Sequence, residues 1–114
     1  MTGHVLNRLG IRLSCRAYLY IQHAIEMATD DPTVLFAVTD RLYPTIACKF
    51  NVSPASVEHA IRYSLERCWR LGNRAYLNEI AGFPLPYRPY TKEFLAMLIQ
   101  YINNKKAGHS DHFK

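Results

Sequence analysis

Apolar residues recur every three or four positions along most of the chain, which is the period of an amphipathic helix. No stretch alternates strictly between apolar and polar residues, as a half-buried β-strand would. The period, with its caps and prolines, predicts helices over residues 14–29, 32–42, 44–50, 54–71, 73–81 and 91–103. We therefore predict an all-α fold of about six helices, without wing strands, in a single domain over residues 1–114. We expect order from about residue 6 to residue 104 and frayed termini.

Residues 42–71 predict a short helix, a tight turn and a longer helix. Six apolar residues can face one shared core: Ile46, Ala47, Phe50, Val52, Val57 and Ala60. Ala47 is placed where the two helices would cross, so that a larger side chain there would push them apart. Asn51 tolerates the left-handed backbone that the turn needs, and Ser53 before Pro54 is a strong helix start. The pattern is typical of a helix-turn-helix, whose second helix fits a DNA major groove.

The charge distribution favours a polyanionic partner. The chain has a net charge of +5, and residues 41–74 contain six basic and two acidic residues. Each Lys or Arg placed on a phosphate releases a condensed counterion, so we expect double-stranded DNA as the partner. A basic surface that serves only solubility is the alternative. No apolar run reaches the roughly 18 residues of a membrane span and no secretory signal is evident, so we expect a cytoplasmic protein.

The outward face of the helix at residues 54–71 contains most of the candidate DNA contacts. Glu58 can accept a hydrogen bond from a cytosine amino group, Arg62 can reach guanine or phosphate, and His59 can donate to either. The predicted DNA-binding residues are Lys49, Ser53, Ser56, Glu58, His59, Arg62, Tyr63 and Arg67. Glu58 and Arg62 are four residues apart, so they could instead pair with each other on a solvated helix.

No group of residues predicts catalysis. Cys48, Cys68 and His59 fall on different helical faces or turns, and the sequence has no Gly-rich phosphate loop. His109 and His112 faintly resemble a metal site, but they belong to a tail that we expect to be frayed. We predict a protein that is not an enzyme, without a cofactor or a metal. The three cysteines are interpreted as buried thiols.

Three segments of the chain resemble a known family more specifically than the general helix-turn-helix pattern does. They are RAYLYIQHAIEM, TDRLYPTIACKFNVSPASVEHAIRYSLERCWRLGN and TKEFLAMLI. Over about residues 6–105 the chain resembles the DNA-binding effector domain of stage zero sporulation protein A, a response-regulator transcription factor. The resemblance implies a six-helix fold whose third and fourth helices form the motif, with Glu58 and Arg62 contacting DNA. It also implies contact with the RNA polymerase sigma subunit through about residues 73–90, and head-to-tail pairing on tandem half-sites.

The chain departs from this family at two points. Ser56 and His59 stand where the family typically presents arginines for guanine, and Ser cannot offer the bidentate fork of Arg. We therefore expect weaker or different base discrimination at these positions. The second departure is that the 114 residues include no phosphorylatable receiver domain, so we expect either an excised effector domain or a natural stand-alone relative.

Two hypotheses follow for the function. The first is sequence-specific binding of duplex DNA for transcription control, with residues 54–71 as the recognition helix. In that case we expect a monomer in solution that pairs on DNA with two half-sites. The second is a helical protein-interaction module that kept the fold but lost base-specific reading.

Overall fold

The computed structural model describes residues 2–106, which form six α-helices and no β-strand. The helices are α1 (Thr2–Leu9), α2 (Arg16–Asp30), α3 (Tyr43–Phe50), α4 (Pro54–Leu71), α5 (Arg74–Ala81) and α6 (Thr91–Lys106). A 3-10 turn over Pro32–Phe36 and a π-helical turn over Val38–Leu42 connect α2 to α3. The all-α prediction is confirmed, and α3 and α4 form the helix-turn-helix.

Two elements differ from the predicted set of helices. α1 lies outside that set, because its eight residues bury only Val5, Leu6 and Leu9 and are too few for a clear period. The helix predicted over residues 32–42 is instead the pair of short turns. At the junction Ala37 has φ −138° and ψ 49°, which is not a helical conformation, and its N–H donates to the Val34 carbonyl at 3.1 Å.

The core is one continuous cluster to which all six helices contribute. α2 packs against both α4 and α6, so it lies behind the motif and supports it. α6 directs its apolar stripe into this cluster through Phe94, Leu95, Leu98, Ile99 and Ile102, each of them buried. A fully buried side chain of this size contributes roughly 1.5–3 kcal/mol, so α6 is a stabilising part of the domain rather than a free surface.

The turn between α3 and α4 is closed by two backbone hydrogen bonds. The Val52 N–H donates to the Ala47 carbonyl at 2.9 Å, and the Asn51 N–H donates to the Cys48 carbonyl at 3.3 Å, which together form a Schellman motif. Asn51 has φ 58° and ψ 47°, the left-handed conformation predicted for it. The Ser53 side chain then accepts a hydrogen bond from a backbone N–H one turn into α4 at 3.1 Å, so the predicted cap is also confirmed.

We expect Ala47→Leu to destabilise the fold by about 1–3 kcal/mol, because Ala47 is only 2% exposed and α3 packs closely on α4. Duplex binding should fall with stability, since the variant forces the two motif helices apart. Denaturant unfolding measures the first effect and a duplex titration the second. Cys48→Leu is the matched control, because Cys48 is exposed, and it should change stability by less than about 0.5 kcal/mol. An Ala47→Leu variant that unfolds like the parent would show that Ala47 is not at the helix crossing.

Candidate nucleic-acid interface

α4 has one buried stripe and one open face. The buried residues of the helix are Val57, Ile61, Ser64, Leu65 and Cys68. The open face contains the predicted contacts Ser56, His59, Arg62, Tyr63 and Arg67, all exposed, with Glu58 half-buried at its edge. Lys49 is exposed in the last turn of α3, and Ser53 is the N-cap of α4. The fold therefore leaves the predicted residues of α4 on its open face, with Lys49 exposed on α3 and Ser53 exposed just before α4.

The open face of α4 has two flanks. At 100° per residue, Glu58 and Arg62 fall on one flank, Ser56, Tyr63 and Arg67 fall on the other, and His59 lies between them. The two flanks therefore present different chemistry at the surface. The first has an acid and a base for polar recognition, and the second has two hydroxyl groups and one guanidinium.

On the first flank Arg62 is already hydrogen-bonded. Its Nε donates to Glu58 Oε2 at 3.0 Å, and its Nη2 lies 3.3 Å from His59 Nδ1. Because a guanidinium has no acceptor, His59 Nδ1 must be the acceptor, which leaves the proton of the neutral ring on Nε2. The sequence-based alternative that Glu58 and Arg62 pair on the free helix thus describes the unbound protein. Such a solvent-exposed pair contributes about 0–1 kcal/mol, so exchanging it for DNA costs little.

The charge of Glu58 also influences Tyr43 of α3. Burial, and after it the negative charge of Glu58, raises the pKa of Tyr43 to about 12. Tyr43 therefore stays neutral at physiological pH and adds no charge to the interface.

The N-terminal end of α4 is shaped by two serines. Ser53 Oγ accepts from the Ser56 N–H, and the two hydroxyl oxygens are 2.9 Å apart. Ser53 therefore acts as the helix cap. Its hydroxyl group can contact a partner only while it also serves the cap. Ser56 lies at the exposed start of the helix, where an arginine would reach considerably further.

Only some of the basic residues counted in the sequence are available to a partner. Arg41 donates to Asp31 at 3.0 Å, and hydrogen bonds from Thr33 and then Arg41 hold the pKa of that carboxyl below its usual value. Arg74 donates to the Trp69 carbonyl at 3.0 and 2.6 Å, with its guanidinium 3.4 Å from the centre of the indole ring. These arginines fasten parts of the fold together, so net charge overstates the basic surface around α4.

Three basic residues of the motif take no part in such structural contacts among the described residues. Lys49, Arg67 and Arg70 are exposed and form no ion pair within residues 2–106. Sequence analysis missed a further one, Arg12, which the α1–α2 connection places beside Arg67 at a small cleft. Its position 55 residues before Arg67 gave no local signal that the two would meet.

The cysteines differ from the buried-thiol interpretation. Cys68 is buried, and burial raises the pKa of its thiol to about 11. Cys15 is half-buried and Cys48 is exposed, because Cys48 falls on the outward side of α3. Among residues 2–106 no three His, Cys, Asp or Glu side chains are grouped so as to hold a metal ion. His109 and His112 lie outside the described residues.

The hydropathy of the described helices was compared with that of membrane spans. None of those within residues 2–106 is both long enough and apolar enough to cross a membrane.

Comparison with known families identifies one match over most of the chain. The sequence model described as the sporulation initiation factor Spo0A C terminal matches residues 2–102. That family is the DNA-binding effector domain of a sporulation transcription factor. The match spans all six helices up to residue 102, including the α3–α4 helix-turn-helix and its exposed polar face. The protein therefore belongs to the Spo0A C-terminal family of DNA-binding, sporulation-related transcription regulators.

Proposed function

We propose that this protein binds double-stranded DNA sequence-specifically to regulate transcription, with the N-terminal half of α4 in the major groove. The observation that supports this most directly is the group of Glu58, His59 and Arg62, held together on the open face of a helix-turn-helix. These side chains supply acceptors and donors of the kinds that base edges recognise. Tyr63, Arg67 and Lys49 surround them and suit contacts with the sugar-phosphate backbone.

Base reading would exchange free-state partners for DNA partners. Arg62 can leave Glu58 for guanine, and the released Glu58 carboxylate can then accept from a cytosine amino group. Because neighbours already order the Arg62 side chain, less rotamer entropy is lost on binding. Ser56 and His59 each provide a single hydrogen bond, whereas an arginine would donate two parallel ones to guanine. We infer a preferred site that differs from the one that arginine-bearing relatives read.

A helical protein-interaction module is the alternative function, and it differs in its response to salt. A DNA-binding domain should lose affinity for mixed duplex steeply as salt rises, because each phosphate contact releases a counterion. An interaction module should bind duplex only weakly, with little dependence on salt. Selection from a random duplex library then tests whether the protein prefers a sequence, and recovery of no enriched site would favour the module.

We expect Arg62→Ala to weaken binding to the selected site by about 1–3 kcal/mol, the value of a bidentate base contact. Folding should change little, since Arg62 is exposed. Arg70→Ala is the matched control, because it removes the same charge from an exposed position on the same helix. Titration of selected and scrambled duplexes should show lower specificity for Arg62→Ala and unchanged specificity for Arg70→Ala. Equal affinity of Arg62→Ala and the parent for the selected site would remove Arg62 from the interface.

We further propose that the segment before α6 contacts the RNA polymerase sigma subunit, within the region of residues 73–90. Phe83, Tyr87 and Tyr90 are 56%, 70% and 74% exposed, an unusual density of open aromatic side chains. The segment is anchored where the Leu85 N–H donates to Asn78 Oδ1 at 2.9 Å. Aromatic residues that project from an anchored segment are typical of protein interfaces, since little conformational entropy is lost when they are covered.

Tyr87→Ala should weaken binding to purified sigma subunit while leaving duplex affinity unchanged, because Tyr87 is remote from α4 in sequence and highly exposed. A loss of about 1 kcal/mol or more is expected for an interface aromatic. Phe36→Ala is the matched control, since Phe36 is an 84% exposed aromatic residue in a different element. Both affinities can be measured by titration against labelled partners. Equal sigma binding by Tyr87→Ala and the parent would exclude this surface.

We also propose that the free protein is a monomer that pairs on tandem half-sites. One recognition helix reads too few base pairs for genomic specificity, so two copies about one helical turn apart are needed. α6 is occupied by its own core, which leaves that helix without an apolar seam for a stable dimer. Sedimentation should give a monomer at micromolar concentration, and a two-site duplex should bind each copy more tightly than a one-site duplex. A dimer without DNA, or equal affinity per site, would contradict this assembly.

A further inference from the structure

A small cleft lies between α4 and the connection from α1 to α2. Its volume is about 140 Å³, and Arg12 and Ser14 line it from the connection while Tyr63 and Arg67 line it from α4. Pockets for drug-sized ligands are typically about 300–1,000 Å³, so this cleft suits a single small group.

The lining of the cleft is suited to an anion. Arg12 and Arg67 are among its lining residues, together with the hydroxyl-bearing Ser14 and Tyr63, and none of the described acidic residues lines it. Neither arginine forms an ion pair with any of residues 2–106. Two positive charges that share a cleft without a compensating acid attract a negative group, and the planar fork of Arg matches the oxygens of phosphate.

The cleft is rigidly built, although one wall is a connection between helices. Gly10 has φ 100°, a conformation that favours glycine, and the following Ile11 is buried with 3% exposure. The Cys15 N–H donates to the Arg12 carbonyl at 2.9 Å and closes the turn that contains Arg12 and Ser14. Cys15 Sγ also lies 3.4 Å from Ser64 Oγ on the buried side of α4, so the connection is held against the recognition helix. A site ordered in this way loses little entropy on binding.

The position of the cleft matches the wall of the major groove. Arg67 follows Ser56 by eleven residues, which is three helical turns, so both lie on the same flank of α4, roughly 16 Å apart along the axis. The major groove is about 12 Å wide. With the first turns of α4 inside the groove, the flank at Tyr63 and Arg67 lies alongside the backbone that borders it.

We propose that Arg12 and Arg67 together bind one phosphate of the DNA backbone beside the recognition helix, with Tyr63 and Ser14 able to donate to its oxygens. This proposal rests on the proposed function, which it extends to an element outside the helix-turn-helix. The contact fixes the register of α4 in the groove without reading a base.

The test compares Arg12→Ala with the parent on the selected duplex over a range of salt concentrations. Because Arg12 and Arg67 hold the phosphate together, loss of Arg12 should release it. The slope of log affinity against log salt should then fall by about 0.9, equivalent to roughly fivefold weaker binding at 0.15 M salt. The loss should be the same on selected and scrambled duplexes. Lys92→Ala is the control, since it removes one exposed charge at the start of α6, and it should leave the slope unchanged. Thermal unfolding should match the parent in both variants, because both side chains are exposed.

Duplexes with a single methylphosphonate locate the contact. At one backbone position the neutral linkage should weaken the parent about fivefold, as counterion release predicts, and should have no effect on Arg12→Ala. Inorganic phosphate, followed by the NMR signals of the arginine Nε–H groups, tests the other source of the same chemistry. Saturable phosphate binding that Arg12→Ala abolishes, together with an unchanged salt slope on DNA, would overturn the backbone assignment in favour of a free phosphate ligand.

The remaining outcomes separate this proposal from the proposed function. Specific duplex binding by the parent, with an unchanged slope in Arg12→Ala and no methylphosphonate position that distinguishes the two proteins, overturns the phosphate contact alone. A parent protein that binds no duplex overturns the proposed function and this contact together. A reduced slope in Arg12→Ala, together with one methylphosphonate position that weakens binding by the parent but not by Arg12→Ala, supports both.

Discussion

The close crossing of α3 and α4 is the constraint on which the rest of the structure depends. Ala47 is small enough to be buried where the helices pack, and Asn51 adopts the left-handed conformation that reverses the chain within a few residues. Because the turn is closed by its own backbone hydrogen bonds, the angle between the helices does not depend on a flexible loop. α2 and α6 then pack against α4 from the core side and leave its polar face open.

The arginines of this protein have several distinct roles, so net charge alone does not locate its interface. Arg74 joins α5 to the end of α4 through the Trp69 carbonyl and ring, and Arg8 lies 3.9 Å from the centre of the Tyr76 ring. Arg41 secures the turns between α2 and α3 through Asp31. A guanidinium can stack and donate at the same time, which makes arginine effective as a structural clamp between elements. Of the arginines that remain open, Arg12 and Arg67 line the same cleft beside α4.

Under the proposed function, the Glu58, His59 and Arg62 group is a recognition surface that is already ordered without a bound partner. The three side chains satisfy one another in the free protein, and the exposed ion pair contributes little stability. In the proposed binding mode, duplex DNA competes with Glu58 for Arg62. A correct base edge compensates both groups, whereas an incorrect one leaves at least one of them unpaired. Specificity in this arrangement comes from the difference between these two outcomes rather than from the total charge.

Most of the features that could be predicted depend on interactions between residues that are close together in the sequence. The helices α2 to α6 follow from a short-range apolar period, and Asn51, Ser53 and Asn73 act on backbone groups within a few residues of themselves. The exposed face of α4 follows from the same period, because residues that are not on the buried stripe must face outward. The candidate site on α4 was therefore predictable from its own helix.

Contacts between distant residues were decided only by the tertiary structure. α1 is too short to show a helical period. Its three buried apolar residues are recognised as core residues only from their contacts with the other helices. The prediction of a helix over residues 32–42 was wrong, because the chain there must bend sharply between α2 and α3. Arg12 joins Arg67 only when the α1–α2 connection packs on α4. Local periodicity describes one element at a time, whereas such a cleft exists only where two elements meet.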